Sequence, residues 1–292
     1  MGVWKSGGKR VISAAIHPYD KNALIVVKIG GASGLNFDAV MEDLAALITG
    51  GSEIVVTHGG SGETNAISEQ LGHPPQFITS PSGFTSRYTD RATLEIFAMV
   101  TAGKINTLIV ERLQRLGVNA LGLSGVDGRL MVARRKEAIR MLDPATGRQR
   151  VLRGDYTGKI ESVNGALLHL LLEAGYTPVI APLALSPEGE ALNVDADRAA
   201  AMIAGAVNAE MLVVLSNVPG LLRQFPDEST LIAHLDKATL EQSLAFAEGR
   251  MKKKVLGAGE ALNLGVGQVV FADGRVAQPV AKALAGRGTV IS

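Results

Sequence analysis

Leu24-Ile25-Val26-Val27-Lys28-Ile29-Gly30-Gly31 runs from β-branched and aliphatic residues into a lysine and a pair of glycines. Apolar residues then recur at Phe37, Val40, Met41, Leu44 and Ile48, the spacing of one helix face. The stretch predicts a buried strand whose end carries a cation into a loop that backbone and ligand can both approach closely. An ordinary strand–loop–helix corner that happens to end in lysine gives the same pattern, so the neighbouring segments have to discriminate.

The next segment repeats the theme. Glu53-Ile54-Val55-Val56-Thr57 reads as a second strand and runs into His58-Gly59-Gly60-Ser61-Gly62, with a helix following to about Leu71-Gly72. Glycines let backbone N–H groups turn inward, and a helix N-terminus adds a positive dipole, so the pair of units suits an anionic ligand. Two common phosphate motifs are missing. No G-x-x-x-x-G-K-[ST] occurs, since Gly154-Asp-Tyr-Thr-Gly158-Lys159 is one residue short and continues with isoleucine. No G-x-G-x-x-G opens a helix either, which disfavours both a P-loop ATPase and a dinucleotide dehydrogenase.

Composition limits the alternatives. Of 292 residues 47% are hydrophobic and 34 are glycine, which suits an α/β protein and not a disordered chain. The net charge of +1 predicts no general attraction to nucleic acid or membrane. Absence of cysteine excludes disulfides, thiolate metal sites and cysteine nucleophiles. With no run of about 18 uninterrupted apolar residues, no transmembrane helix is expected. Residues 1–21 carry Trp4, Lys5, Lys9 and Arg10 but no contiguous apolar stretch of the signal-peptide kind. They are read as a short extension of a cytoplasmic protein, ahead of a domain at 22–292.

Along the rest of the chain, strand and helix signals alternate. A polar loop over residues 76–90 holds Gly83-Phe-Thr-Ser-Arg87-Tyr-Thr-Asp90, where Arg87 can clamp a carboxylate or simply stand in solvent. A long helix is expected to about Leu116, with Ala92, Ile96, Met99 and Val100 at core spacing, then a strand at Val118–Ser124. The segment Arg129–Arg153 holds eight basic residues against Glu137 and Asp143, a local +6 in a nearly neutral chain. It reads either as a surface that steers an acidic partner or as a solvated hairpin turning at Pro144-Ala-Thr-Gly147. Asp155, Tyr156 and Lys159 are candidates for lining a pocket, although turn chemistry also explains this glycine-flanked stretch. A helix at Asn164–Ala174 and a strand at Thr177–Leu183 follow. In Asn193-Val-Asp195-Ala-Asp197 three polar side chains precede an alanine-rich helix; one cap suffices, so at least one should point elsewhere. A buried strand, Glu210–Leu215, leads to Ser216-Asn-Val-Pro-Gly220-Leu221; Met251-Lys-Lys-Lys254 opens a helix to Leu264, and a strand follows at Gly267–Ala272. No linker separates the halves, so one sheet is expected to run through both.

Two lysines, glycine loops and an acid form a plausible phosphoryl-transfer site, which needs positioning and cations more than covalent chemistry. Taken in order, Lys28-Ile-Gly-Gly31, His58-Gly-Gly60, Asn193-Val-Asp-Ala-Asp197, Leu215-Ser-Asn-Val-Pro-Gly220 and Met251-Lys-Lys-Lys254 resemble the amino acid kinase family, in its acetylglutamate kinase-like branch. The resemblance implies a three-layer α/β sandwich with an open, mainly parallel central sheet. It places acyl substrate in a lobe over 22–180 and ATP with Mg2+ in a lobe over 181–292. It also implies roles: Lys28 and Lys254 on the transferring phosphoryl, with Asp197 organising them; Gly60, Ser61, Arg87 and Asn193 on the substrate; Gly30, Gly31, Ser216, Asn217, Gly220 and Leu221 on the nucleotide. No protein metal ligand and no catalytic histidine are implied; His58 is expected to brace the glycine loop. The chain departs from acetylglutamate kinases at Ser61, where they usually have a third glycine, and at Asn217, where they have aspartate. Its Gly83–Asp90 loop and Asp155–Lys159 are similar to those of family members acting on 2-aminoadipate borne by the acidic amino-group carrier protein LysW, in lysine biosynthesis. The +6 segment would then face a partner of matching sign, and a homodimer or higher assembly is implied. The alternatives are an N-acetylglutamate kinase of arginine biosynthesis and a non-catalytic amino-acid-binding regulator on the same fold.

Overall fold

The computed structural model describes residues 23–292 apart from 32–33, 82, 84, 143–145, 147 and 248. The extension at 1–21, most of the turn at Pro144–Gly147, and Ser82 and Phe84 of the arginine loop lie outside the described residues.

In chain order come β1 (Ile25–Ile29), α1 (Phe37–Thr49), β2 (Ile54–His58), α2 (Ser61–Gln70), β3 (Phe77–Thr79), β4 (Thr85–Arg87) and α3 (Arg91–Ala98). A π-helix, Met99–Ile105, joins α3 directly to α4 (Asn106–Arg115). Then follow β5 (Ala120–Ser124), β6 (Met131–Arg135), β7 (Ala138–Leu142), β8 (Gln149–Arg153), β9 (Gly158–Val163), α5 (Gly165–Glu173), β10 (Thr177–Ala181), β11 (Leu183–Leu185) and β12 (Ala191–Asn193). The chain closes with α6 (Ala196–Ala206), β13 (Met211–Ser216), β14 (His234–Leu235), α7 (Leu240–Ser243), α8 (Arg250–Asn263), β15 (Gln268–Asp273), α9 (Pro279–Leu284) and β16 (Thr289–Ile291).

One eight-stranded sheet, ordered β14-β16-β15-β13-β1-β2-β10-β5, crosses both halves. Every pairing is parallel except β15 with β16. Alternation along the strands sorts the core into two layers. Ile25, Val27 and Ile29 pack with Val40, Met41 and Leu44 of α1, Ile109 and Leu113 of α4, and Val280 of α9. Val26, Leu212 and Val214 pack with Ala200, Ile203 and Ala204 of α6 and with Val255 and Ala258 of α8. Lys28 has the parity of Val26, so the pleat turns it toward α6 and α8. The result is the expected three-layer α/β sandwich around an open, mainly parallel sheet.

A second sheet, β12-β11-β6-β9, was not expected, whereas the β7–β8 hairpin stands where the sequence offered one, its strands flanking residues 143–148. The expected strand Thr177–Leu183 breaks at Pro182, where the missing N–H stops the ladder and the chain passes from one sheet to the other. In the long helix, Ile96 and Val100 are buried as expected, but Ala92 and Met99 are exposed. The face that packs inward is Thr93, Leu94, Ile96, Phe97, Val100 and Thr101. Within Arg91–Arg115 an 18-residue window reaches a mean hydropathy of 1.4, long and apolar enough for a membrane span by length and composition alone, although charged residues interrupt the run. Here it packs against the sheet through Ile109 and Leu113, both buried.

Candidate active site

The loops after β1 and β2 press together backbone to backbone. Gly59 N–H donates to Ile29 O at 3.0 Å and Gly62 N–H to Gly31 O at 3.1 Å. A Cβ on Gly30 would stand 2.8 Å from Leu215 O, and one on Gly31 would strike the Gly59–Gly60 peptide. Only glycine permits this approach. The loops floor a cleft of about 960 Å3, and all thirteen residues assigned site roles from the sequence line it.

At its centre Asp197 stands between the two lysines. Its Oδ1 lies 2.7 Å from Lys28 Nζ and 3.1 Å from Lys254 Nζ. The three side chains are 5, 15 and 11% exposed for Lys28, Asp197 and Lys254, dry enough to strengthen the charges yet open to a ligand. Burial alone would raise the Asp197 pKa, but the Lys254 and Lys28 charges outweigh it and hold the carboxyl well below the usual range. Burial lowers Lys254 to about 8; Asp197 works against that fall and the Lys28 charge adds to it.

The three polar residues at the start of α6 take different partners. Asp195 is the N-cap, accepting from the N–H of Asp197 at 3.0 Å and of Arg198 at 3.1 Å. Asp197 turns to the lysines, and Asn193 Nδ2 donates to Thr89 Oγ1 at 3.0 Å. On α8, Lys254 reaches Asp197 while Lys253 lies 3.9 Å from Asp195 and Lys252 is exposed.

Arg87, at the end of β4, is 8% exposed. It donates to Ser61 O at 3.2 Å and lies over the Phe77 ring at 5.3 Å, so its guanidinium is held beside the glycine loop. Among Asp155, Tyr156 and Lys159, only Lys159 lines the cleft. Asp155 is buried and accepts from Thr89 N–H at 2.8 Å and Thr157 N–H at 3.2 Å, pinning the arginine loop to the segment that leads into β9. Tyr156 lies under Arg135 at 3.7 Å. Lys136, Ile139 and Thr157 also line the cleft and were not singled out. Lys136 sits in a basic run whose solvated members carry the same sequence signal. Leu222, Phe225 and Phe246 line the cleft beside Ser216, Asn217, Gly220 and Leu221.

His58 is buried and neutral. Its Nδ1 is 2.9 Å from Gly59 O and its Nε2 3.1 Å from Asn106 Nδ2, an arrangement met by one tautomer with N–H on Nδ1. Burial pushes the imidazole down to about 4, the Gly59 carbonyl opposes this and the Lys28 charge assists it. The arrangement can hold a polyanionic ligand on two cations beside the abutting glycine loops.

The model of the amino acid kinase family matches residues 23–273. A [LysW]-aminoadipate kinase of Deinococcus radiodurans is 58% identical over 269 residues, covering 92% of this chain and 91% of the relative. One from Thermus thermophilus is 54% identical over 270 residues, covering 92% and 100%. Among solved structures, N-acetylglutamate synthase from Neisseria gonorrhoeae, complexed with coenzyme A and N-acetyl-glutamate, superposes with a TM-score of 0.76 at 25% identity. That match covers 92% of this chain, which spans 59% of the synthase.

Proposed function

This chain belongs to the amino acid kinase family, and we propose that it phosphorylates the distal carboxylate of 2-aminoadipate carried on LysW, using ATP, in lysine biosynthesis. The observation that carries this reading is the Lys28–Asp197–Lys254 arrangement over two abutting glycine loops. It occurs in a chain 58% and 54% identical, over nine-tenths of its length, to two relatives of that name.

The substrate carboxylate attacks the γ-phosphorus in line. A carboxylate O–P bond forms, the bond to the bridging oxygen breaks, and its electron pair leaves with ADP. The carboxylate is already ionised near neutral pH, so no base takes a proton. Lys28 and Lys254 neutralise charge on the transferring phosphoryl from opposite sides, while Asp197 holds the two ammonium groups against their mutual repulsion. Gly30 and Gly31 offer N–H groups to phosphate. Gly60, Ser61, Arg87 and Asn193 take the amino-acid portion, and Ser216, Asn217, Gly220 and Leu221 border the nucleotide. Three cleft carboxylates are already engaged by cations: Asp195 by Lys253, Asp197 by both lysines and Glu260 by Arg198. Among the described residues no cluster suited to a metal ion occurs. Magnesium would enter with the nucleotide, as the counter-ion of its phosphates.

The 22–180 half supplies the acyl-substrate side and the 181–292 half the nucleotide side. The basic β7–β8 hairpin beside the substrate side supports docking of an acidic carrier. Exposed Met99 and Leu108, on the helix run that carries the sheet's β5 edge, support association of two copies. The deciding experiment traps acyl phosphate with hydroxylamine, offering LysW-linked aminoadipate, LysW-linked glutamate and N-acetylglutamate in turn. Turnover confined to the carrier-linked substrates is expected. Efficient turnover of N-acetylglutamate would move the enzyme to arginine synthesis, and no turnover with any of them would favour a regulator.

A further inference from the structure

The π-helix Met99–Ile105 lies directly beneath the β2 glycine loop. A Cβ on Gly60 would stand 2.7 Å from Thr101 Cγ2 and 2.8 Å from Ile105 Cδ1, so these two side chains fill the space that any other residue there would need. The next residue, Asn106, is buried at 4% exposure. Residues five apart on an α-helix diverge by about 140°. The wider π turn swings Asn106 back toward the side of Thr101.

From that position Asn106 Nδ2 reaches His58 Nε2 at 3.1 Å, Val179 O at 2.9 Å and Leu123 O at 3.4 Å. His58 in turn holds the Gly59 carbonyl at 2.9 Å. A Cβ on Gly122 of β5 would collide with Asn106 Oδ1, so the neighbouring strand is shaped around this amide. A buried amide with several bonds, a cleared strand and a local change of helix type converge on one ring, and that ring touches neither cleft nor solvent.

We propose that the π-helix is a positioning device for the glycine loop, with Asn106 and His58 as its positioning residues. Asn106 fixes the His58 ring and tautomer, the ring fixes the Gly59 peptide, and the aim of the Gly60 and Ser61 amides at the reacting groups follows. An error of about 1 Å at such donors costs orders of magnitude in rate. The inference rests on the carboxylate-kinase reading for its effect on turnover, but not for its effect on the loop.

The test is a double-mutant cycle between Asn106→Ala and His58→Asn, read by kcat, by KM for ATP and by amide hydrogen exchange at Gly59–Ser61. Each single variant, assayed as folded protein, should lose at least tenfold in kcat with KM for ATP within twofold. The double variant should be no slower than the worse single one, because both cut one chain of contacts. Exchange at the loop should rise in all three. Gly122→Ala, which displaces the amide without removing it, carries the same expectation should Asn106→Ala be too unstable to assay. Normal kcat with unchanged loop exchange, or strictly additive losses, overturns the proposal. Raised exchange in an enzyme whose wild type phosphorylates nothing supports the positioning and defeats the kinase reading instead.

Discussion

At the scale of single residues the site depends on charges that would not sit together without Asp197. Removing Lys28 or Lys254 takes away a cation that matters most when the phosphoryl oxygens gain charge. Lys28→Ala and Lys254→Ala should each lower kcat by about 100-fold or more with the fold intact, as checked by steady-state kinetics beside circular dichroism. The Lys254 pKa of about 8 adds a pH signature. A lysine is charged below its pKa and neutral above it, so the stabilisation is present below pH 8 and fades above. kcat/KM, which reports the free enzyme, should fall about tenfold per pH unit on the alkaline side. In the ATP complex the phosphates favour the ammonium form, so the limb in kcat should lie higher. Lys254→Arg should remove the limb from both profiles; a limb that stays at the same pH would assign it to another group.

At the scale of elements, the six-residue helix α9 begins after Gln278, whose side chain makes no cap. Its first amides are satisfied from α1 instead, with Asp43 Oδ2 accepting from Val280 N–H at 2.7 Å and Ala281 N–H at 2.9 Å. Cutting this buried, charge-assisted link should cost about 1.5–3 kcal/mol in urea unfolding, with Asp43→Ala leaving kcat of the folded enzyme unchanged. A loss below about 0.5 kcal/mol would mean that water replaces the carboxylate. No sequence pattern reveals such a link, because its partners are more than 200 positions apart. The strand–glycine–helix corners were legible because lysine, glycine and apolar period are all local, and the Asn193–Asp197 run showed that a side chain points past the cap, though not which one. The second sheet was not legible, since β6 pairs with β9 and β11 across long separations and only the short β11–β12 hairpin is local. The π-helix was not either, because its residues satisfy a helical period, and Asn106 and Lys136 carry no signal that separates them from surface polar residues.

At the scale of the whole molecule, the question is how an enzyme of net charge +1 selects a substrate that is itself a protein. The β7–β8 hairpin is placed to contribute. Ile139 of β7 lines the cleft, and Tyr88 OH donates to Arg153 O at 2.8 Å, tying the hairpin to the arginine loop. Arg140, Arg148 and Arg153 are exposed on it, so their field reaches solvent at the cleft margin. Charges of this kind act mainly on encounter and are screened within about 8–10 Å at 0.1–0.15 M salt. Reversing Arg140, Arg148 and Arg153 to glutamate should therefore raise KM for LysW-linked aminoadipate about tenfold or more at low ionic strength, with little change in kcat or in KM for ATP. The penalty should shrink as salt is added, since screening removes the attraction in the parent enzyme as well as the repulsion in the variant. A small acyl substrate lacking the carrier, to whatever extent it is turned over, should respond much less, because it offers the hairpin no acidic surface. Equal KM for the carrier-linked substrate in both enzymes at low salt would leave the hairpin a solvated roof over the cleft, and recognition of the carrier would then fall to the cleft itself, where Lys136 and Lys159 already stand.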